Sequence, residues 1–126
     1  MKIKILNLTQ HEATPEQVEA GVFEPRVEAK QRIQQLLTFD RIPSKEQMEL
    51  RAQELALIAK QELGITSKAV MIGGAPYFMS TLERVLKQTG FQVCYAFSKR
   101  ECVEEKQSDG SVVKKTLFKH AGFVWV

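Results

Sequence analysis

The chain has only 2 cysteines in 126 residues, Cys94 and Cys102, and they are not in a CxxC arrangement. That excludes a disulfide framework and a cysteine-rich zinc site. No apolar run is long enough to cross a bilayer, so no membrane partner is expected. The opening Met1-Lys2-Ile3-Lys4-Ile5-Leu6 turns polar too soon for a signal peptide, and a cytoplasmic location is expected. Histidine is scarce as well. The 2 present, His11 and His120, lie far apart without spaced carboxylates, so no metal is expected. There is no nucleophile elbow, no recognisable frame of paired carboxylates and no Cys/His pair at informative spacing, which leaves hydrolases of those types without support. No G-x-G-x-x-G or Walker loop occurs, and no acidic residue follows the glycine turn where a dinucleotide ribose would need one. NAD and other cofactors are not expected. Charge of one sign is also modest. A net charge of +3 and a pI near 8.9 permit an anionic small ligand but do not predict a surface for extended duplex nucleic acid. Repeats, linkers and low-complexity segments are missing, and the length suits one domain over residues 1–126.

What is present centres on Ala69-Val70-Met71-Ile72-Gly73-Gly74-Ala75-Pro76. Val70, Met71 and Ile72 do not alternate with polar residues, as expected of a strand covered on both faces. Gly73-Gly74 allows a sharp turn and close backbone approach. Pro76 suits a first helical position, where no N–H is needed. Met79, Leu82, Val85 and Leu86 recur at helical spacing, and Gly90 fits just beyond the helix end. A strand, glycine turn and helix start form a natural anion site, because the first helical amides lack partners. The plain alternative is a tight βα turn and nothing more.

The rest of the chain reads in order. A first strand is expected from about Lys2 to Leu8. Thr14-Pro15-Glu16-Gln17 combines a cap, a first-turn proline and a capping box, with Gly21 as the stop. Val22-Phe23-Glu24-Pro25 reads as a connector or small strand. A helix follows from Arg26 or Val27 to Leu37, with a short strand conceivable at Leu37 to Phe39. Ser44-Lys45-Glu46-Gln47 is a second capping box, opening a long helix over 45–63 that Gly64 ends. A strand is expected from Phe91 to Phe97, ending in Ser98-Lys99-Arg100-Glu101. Asp109-Gly110, between Val103 to Gln107 and Ser111 to Phe118, signals a hairpin. Gly122 to Val126 reads as a further strand. Its Trp125 argues that this end is docked, within the monomer or against a second copy.

Strand, helices, strand, helix, strand predicts an α/β fold, a Rossmann-like, mostly parallel sheet with helices packed on it and a C-terminal β-hairpin. Ligands of such sheets bind beyond the carboxyl ends of the strands, at the switch point. Three strand ends would converge there. The first supplies Asn7, Thr9, Gln10 and His11, the second Gly73, Gly74 and Ala75, and the third Ser98, Lys99 and Arg100. Together they would hold a phosphorylated ligand. His11 would transfer protons, while Lys99 and Arg100 would grip and stabilise phosphate charge. The plain alternatives are a loop histidine bonded to backbone and a solvated Lys-Arg pair beside Glu101, Glu104 and Glu105. His120 and Lys114-Lys115 belong to the hairpin. Phe91, Tyr95, Phe97, Phe118, Phe123 and Trp125 concentrate aromatic area in the last third, which predicts a homodimer.

The segment Ile5-Leu6-Asn7-Leu8-Thr9-Gln10-His11, followed by Thr14-Pro15-Glu16-Gln17, resembles the start of small CRISPR-associated proteins with a CARF-like Rossmann fold. Several such families are ring nucleases. The resemblance implies a homodimer that binds cyclic oligoadenylate and opens it without a metal. Two functions from different classes follow. One is an enzyme in which a ribose 2′-OH attacks the adjacent phosphate. The other is a binding module that senses or sequesters a nucleotide signal, in a CRISPR or mobile-element setting, with the same groups and no turnover. A structural or regulatory protein without a nucleotide ligand is the bland third.

Overall fold

The computed structural model describes residues 3–126. The elements run β1 (Ile5–Leu8), α1 (Pro15–Glu19), β2 (Val22–Phe23), α2 (Val27–Leu37), α3 (Lys45–Leu63), β3 (Ala69–Ile72), α4 (Pro76–Gln88), β4 (Gln92–Lys106) and β5 (Val112–Trp125). They form one five-stranded sheet in the order β2-β1-β3-β4-β5. β1 pairs in parallel with β2 and β3, β3 in parallel with β4, and β4 antiparallel with β5. The expected α/β architecture with a mostly parallel sheet and a C-terminal hairpin is therefore present.

The strand order explains the layering. From β1 the chain moves outward to β2, then returns past β1 to β3 and on to β4. Right-handed crossovers then put α1 on one face and α2, α3 and α4 on the other. The core agrees. Leu6, Leu8, Val70, Ile72 and Val93 face Ile33, Leu36, Leu55, Leu63, Phe78, Leu82 and Leu86 of the three longer helices. Ile5, Ala69, Met71 and Cys94 point the other way, toward Val22, Ala13 and Phe123. Every residue of β1 and β3 is buried, as the unalternating apolar run of Val70, Met71 and Ile72 implied for β3.

The helix starts follow from local chemistry. Gln17 N–H donates to Thr14 Oγ1 at 3.2 Å and Thr14 N–H to Gln17 Oε1 at 3.0 Å. Ser44 and Gln47 repeat this reciprocal pair at the head of α3. The left-handed φ of Gly90, 101°, carries the chain from α4 into β4, a conformation that suits glycine.

Four expectations are corrected. No strand forms at Leu37 to Phe39: α2 continues through Leu37, and Phe39 instead lays its ring against Phe78. β1 begins at Ile5 because Ile3 and Lys4 find no ladder partner; Lys2 lies outside the described residues. The strand expected over Phe91 to Phe97 begins at Gln92 and does not stop at Phe97 but runs on to Lys106 as β4. The separate terminal strand does not exist either, since β5 continues from Val112 to Trp125. The two strands make one long ribbon, with a register shift between Phe97 and Ser98 that leaves Ala121 as an extra residue on β5. Beyond that shift β4 pairs with β5 alone. Nine residues from Ser98 to Lys106 then reach roughly 30 Å along the strand.

Candidate functional site

The chain reverses its direction across the sheet between β1 and β3, so the carboxyl ends of those two strands diverge into separate loops. A crevice opens there, as such a switch point predicts. The loop after β1 contributes Thr9, Gln10, His11 and Glu12, and the start of α1 adds Thr14 and Gln17. β3 and its turn contribute Met71, Ile72, Gly73 and Gly74, and β4 adds Tyr95 and Ala96. The cavity is about 360 Å³, within the range of small-ligand sites. The His11 loop and the Gly73-Gly74 turn are thus opposite walls of one space.

The β1–α1 loop is held by a network around Asn7, whose side chain is buried in a strand of apolar neighbours. Asn7 Nδ2 donates to the His11 carbonyl at 2.8 Å and to Glu24 Oε2 at 2.9 Å. Asn7 Oδ1 accepts from Thr9 N–H at 2.9 Å and Thr9 Oγ1 at 2.6 Å. Glu24 Oε2 also accepts from Ala13 N–H at 2.9 Å. The amide of Asn7 is fully engaged, so it shapes the loop and leaves nothing for a ligand. Burial pushes the Glu24 carboxyl up. The hydrogen bonds from Asn7 and Ala13, with the nearby Lys30 ammonium, outweigh that and hold it below its ordinary value. Lys30 itself sits 3.1 Å from Glu12 and 3.4 Å from Glu24.

On the opposite wall, the head of α4 has no side-chain cap; Ala75 stands at the cap position and Pro76 begins the helix without an N–H. Gly74 has φ of 152°, which favours glycine, and a Cβ there would meet Met79 Cε at 3.4 Å. A Cβ on Gly73 would meet Thr9 Cγ2 at 3.6 Å, an ordinary contact across the crevice. Tyr95 donates to Glu83 Oε2 at 2.6 Å, and burial together with that carboxylate raises its phenol above the usual value. The β4 wall is therefore neutral and fixed.

Of the residues read from the sequence, Thr9, Gln10, His11, Gly73 and Gly74 line the crevice. Asn7 lies behind it and Ala75 at the helix cap. Ser98, Lys99 and Arg100 are not at a strand end. They lie within β4, exposed, opposite His120, Lys119 and Phe118 of β5. The reason is that this stretch has solvent on both faces, so its polar text marks exposure and not termination. Among the described residues no Lys or Arg lines the crevice. Alternation along β4 puts Arg100 on the same face as the crevice residue Ala96 and Lys99 on the opposite one. His120 packs edge-on against Phe123, with ring centroids 5.0 Å apart. Burial pushes the Cys94 thiol up to about 12, which makes it inert core. Among the described residues no group of three or more His, Cys, Asp and Glu side chains is placed to hold a metal, and no helix is long and apolar enough to cross a membrane.

Two features escaped sequence reasoning. Glu24 was one; its signal was Asn7, a polar residue in an otherwise apolar buried strand that had to find a partner. The other is Arg51, whose Nη1 donates to the carbonyls of Leu36 at 3.1 Å and Thr38 at 2.7 Å and so closes the end of α2. It also sits 4.4 Å over the Phe39 ring.

No curated protein and no solved structure matches the chain. The model of the uncharacterized protein MJ1673 family matches residues 3–124, almost the full length, and the chain belongs to that family.

Proposed function

We propose that this crevice binds a phosphorylated nucleotide signal, with cyclic oligoadenylate the ligand that the resemblance of the Ile5–Gln17 segment supplies. One observation carries the reading: the His11 loop and the Gly73-Gly74 turn wall a single cavity at the switch point of a mostly parallel sheet. α4 starts just after that turn, and the positive end of its dipole supports an anion nearby, although Pro76 brings no N–H and the Phe78 N–H already donates to the Ala75 carbonyl at 3.0 Å. The strand order and the glycine turn also support the CARF-like Rossmann assignment.

Binding is the better supported half of the proposal. Cleavage would need the ribose 2′-OH held in line with its neighbouring phosphate, its proton taken by His11, and the leaving oxygen released from the same phosphorus. The crevice offers His11 for the proton but, among the described residues, no side-chain cation for the developing charge. Arg100 is the group proposed to supply it, from its position in the ribbon about 13 Å beyond Ala96 along β4. The proposal includes a homodimer. Phe97, Val103, Val113 and Leu117 share one face of the ribbon by alternation and are each at least 41% exposed, interleaved with Lys99, Glu101, Glu105, Lys115 and Lys119, which is a mixed apolar and charged surface for a second copy to cover.

The test is incubation with cyclic oligoadenylates of several ring sizes, followed by chromatography. Linear products establish an enzyme, and recovery of retained, intact rings establishes a binder. If no ring is retained or cut, the nucleotide reading falls.

A further inference from the structure

A second cavity, of about 650 Å³, lies beside the start of α4. Phe39, Pro43, Met48 and Tyr77 line it together with the exposed Asp40, Arg41 and Ile42. Two seams join it to the crevice. Tyr77 follows Gly74 by three residues, so their Cα atoms are at most about 11 Å apart. Gln10, a crevice residue, donates to Thr38 Oγ1 at 2.8 Å, directly beside Phe39. An aromatic cavity therefore lies close to the polar one, with no lining residue in common.

The aromatic cavity is built before any ligand arrives. Phe39 makes T-shaped contacts with Tyr77 and Phe78, at 5.6 Å and 5.3 Å between ring centroids. Arg51 covers one face of Phe39 and ties down the loop carbonyls beside it. Tyr77 remains 55% exposed and Ile42 98% exposed, so a flat apolar group has two open surfaces to meet. A planar ring stacks on such surfaces, and the Asp40 carboxylate can accept from an amino group on its edge.

We infer that this cavity takes the planar heterocyclic base of a nucleotide whose phosphate lies at the Gly73-Gly74 turn. The inference rests on the reading of the crevice given above. It adds a base subsite and assigns Tyr77 as the stacking residue. A nucleotide places its base one sugar away from its phosphate, which matches two chemically different cavities separated by a helix end.

Protein-observed NMR titration separates the two halves. Inorganic phosphate should shift the Gly73 and Gly74 amides and leave the Met48 methyl unmoved. Adenosine, which has no phosphate, should shift the Met48 methyl. Adenosine 5′-monophosphate should shift both and bind at least about tenfold more tightly than adenosine alone. Tyr77→Ala should weaken adenosine about fivefold or more while leaving the phosphate titration unchanged, and Tyr77→Phe should restore it. The base subsite is overturned if adenosine does not move Met48, or if Tyr77→Ala leaves adenosine affinity unchanged. If adenosine binds as described but phosphate does not shift the glycine amides, the crevice reading fails and the base subsite stands.

Discussion

The body and the ribbon of this protein are built from the same chain by different means. In β1 and β3 every side chain is buried, and the helices fix where each strand begins and ends. From Ser98 to Lys119 no side chain is fully buried, and the ribbon is held by its ladder, its Asp109-Gly110 turn and one ion pair, Lys115 to Glu105 at 2.6 Å. Asp109 supports that turn by accepting from the Ser111 N–H at 2.9 Å. The comparison teaches where sequence change is costly. The body carries the stability and the crevice, while the ribbon carries the expected cations and can vary without unfolding the rest.

The largest effect that sharpens this contrast is in the core. Phe78 is fully buried under Phe39, and Phe78→Ala should cost about 3–5 kcal/mol in urea unfolding. Leu117→Ala on the ribbon should change monomer stability by no more than about 0.5 kcal/mol, while weakening self-association seen by light scattering. Equal losses from the two would erase the distinction.

Next comes the loop network. Asn7→Ala strips partners from Glu24, Thr9 and the His11 carbonyl, and should cost about 1–3 kcal/mol by the same measurement. The Gly73-Gly74 turn offers a paired test of similar size. Gly74→Ala imposes a φ of 152° on a residue with Cβ and should cost about 1–3 kcal/mol, whereas Gly73→Ala should leave stability nearly unchanged and narrow the crevice. If Gly73→Ala proves the more destabilising in thermal melts, the turn is not the strained element.

The pH dependence follows from Glu24. Its carboxyl is held below its ordinary 4.5 in the folded chain, so its contribution is present above that pH and is lost as pH falls through the lower folded value. Glu24→Gln should flatten the acid limb of a stability-against-pH curve, and an unchanged limb would refute the assignment. Smallest in stability is Arg100→Ala, within about 0.5 kcal/mol, because the residue is exposed on the ribbon. Its effect should appear in nucleotide affinity and in the salt dependence of that affinity. No change in either removes Arg100 from the proposal.

The sequence disclosed the body well because its signals are local. Thr14 with Gln17 and Ser44 with Gln47 state helix starts, and Gly90 states a stop. The apolar run Ala69 to Ile72 states burial on both faces. It disclosed the two walls of the crevice for the same reason, since both are strand-end loops. It misplaced Ser98, Lys99 and Arg100 because strand length in an exposed ribbon depends on cross-strand pairing, which has no periodic apolar mark. It missed Glu24 and Arg51 because their partners lie 17 and 13 to 15 residues away in the chain. The aromatic cavity was hidden too: Phe39, Met48 and Tyr77 come from separate elements that only the packing of α2, α3 and α4 brings together.

The two margins of the sheet differ in one more respect. β2 is two residues long, so its outer side offers almost no free backbone to another chain. β5 is fourteen residues long and exposes a full row of N–H and C=O groups along its outer side. The β5 margin therefore offers far more backbone to a further strand than the β2 margin does. Lys114, Lys115 and Lys119 are exposed on β5, and charges on an edge strand guard it against indiscriminate templating.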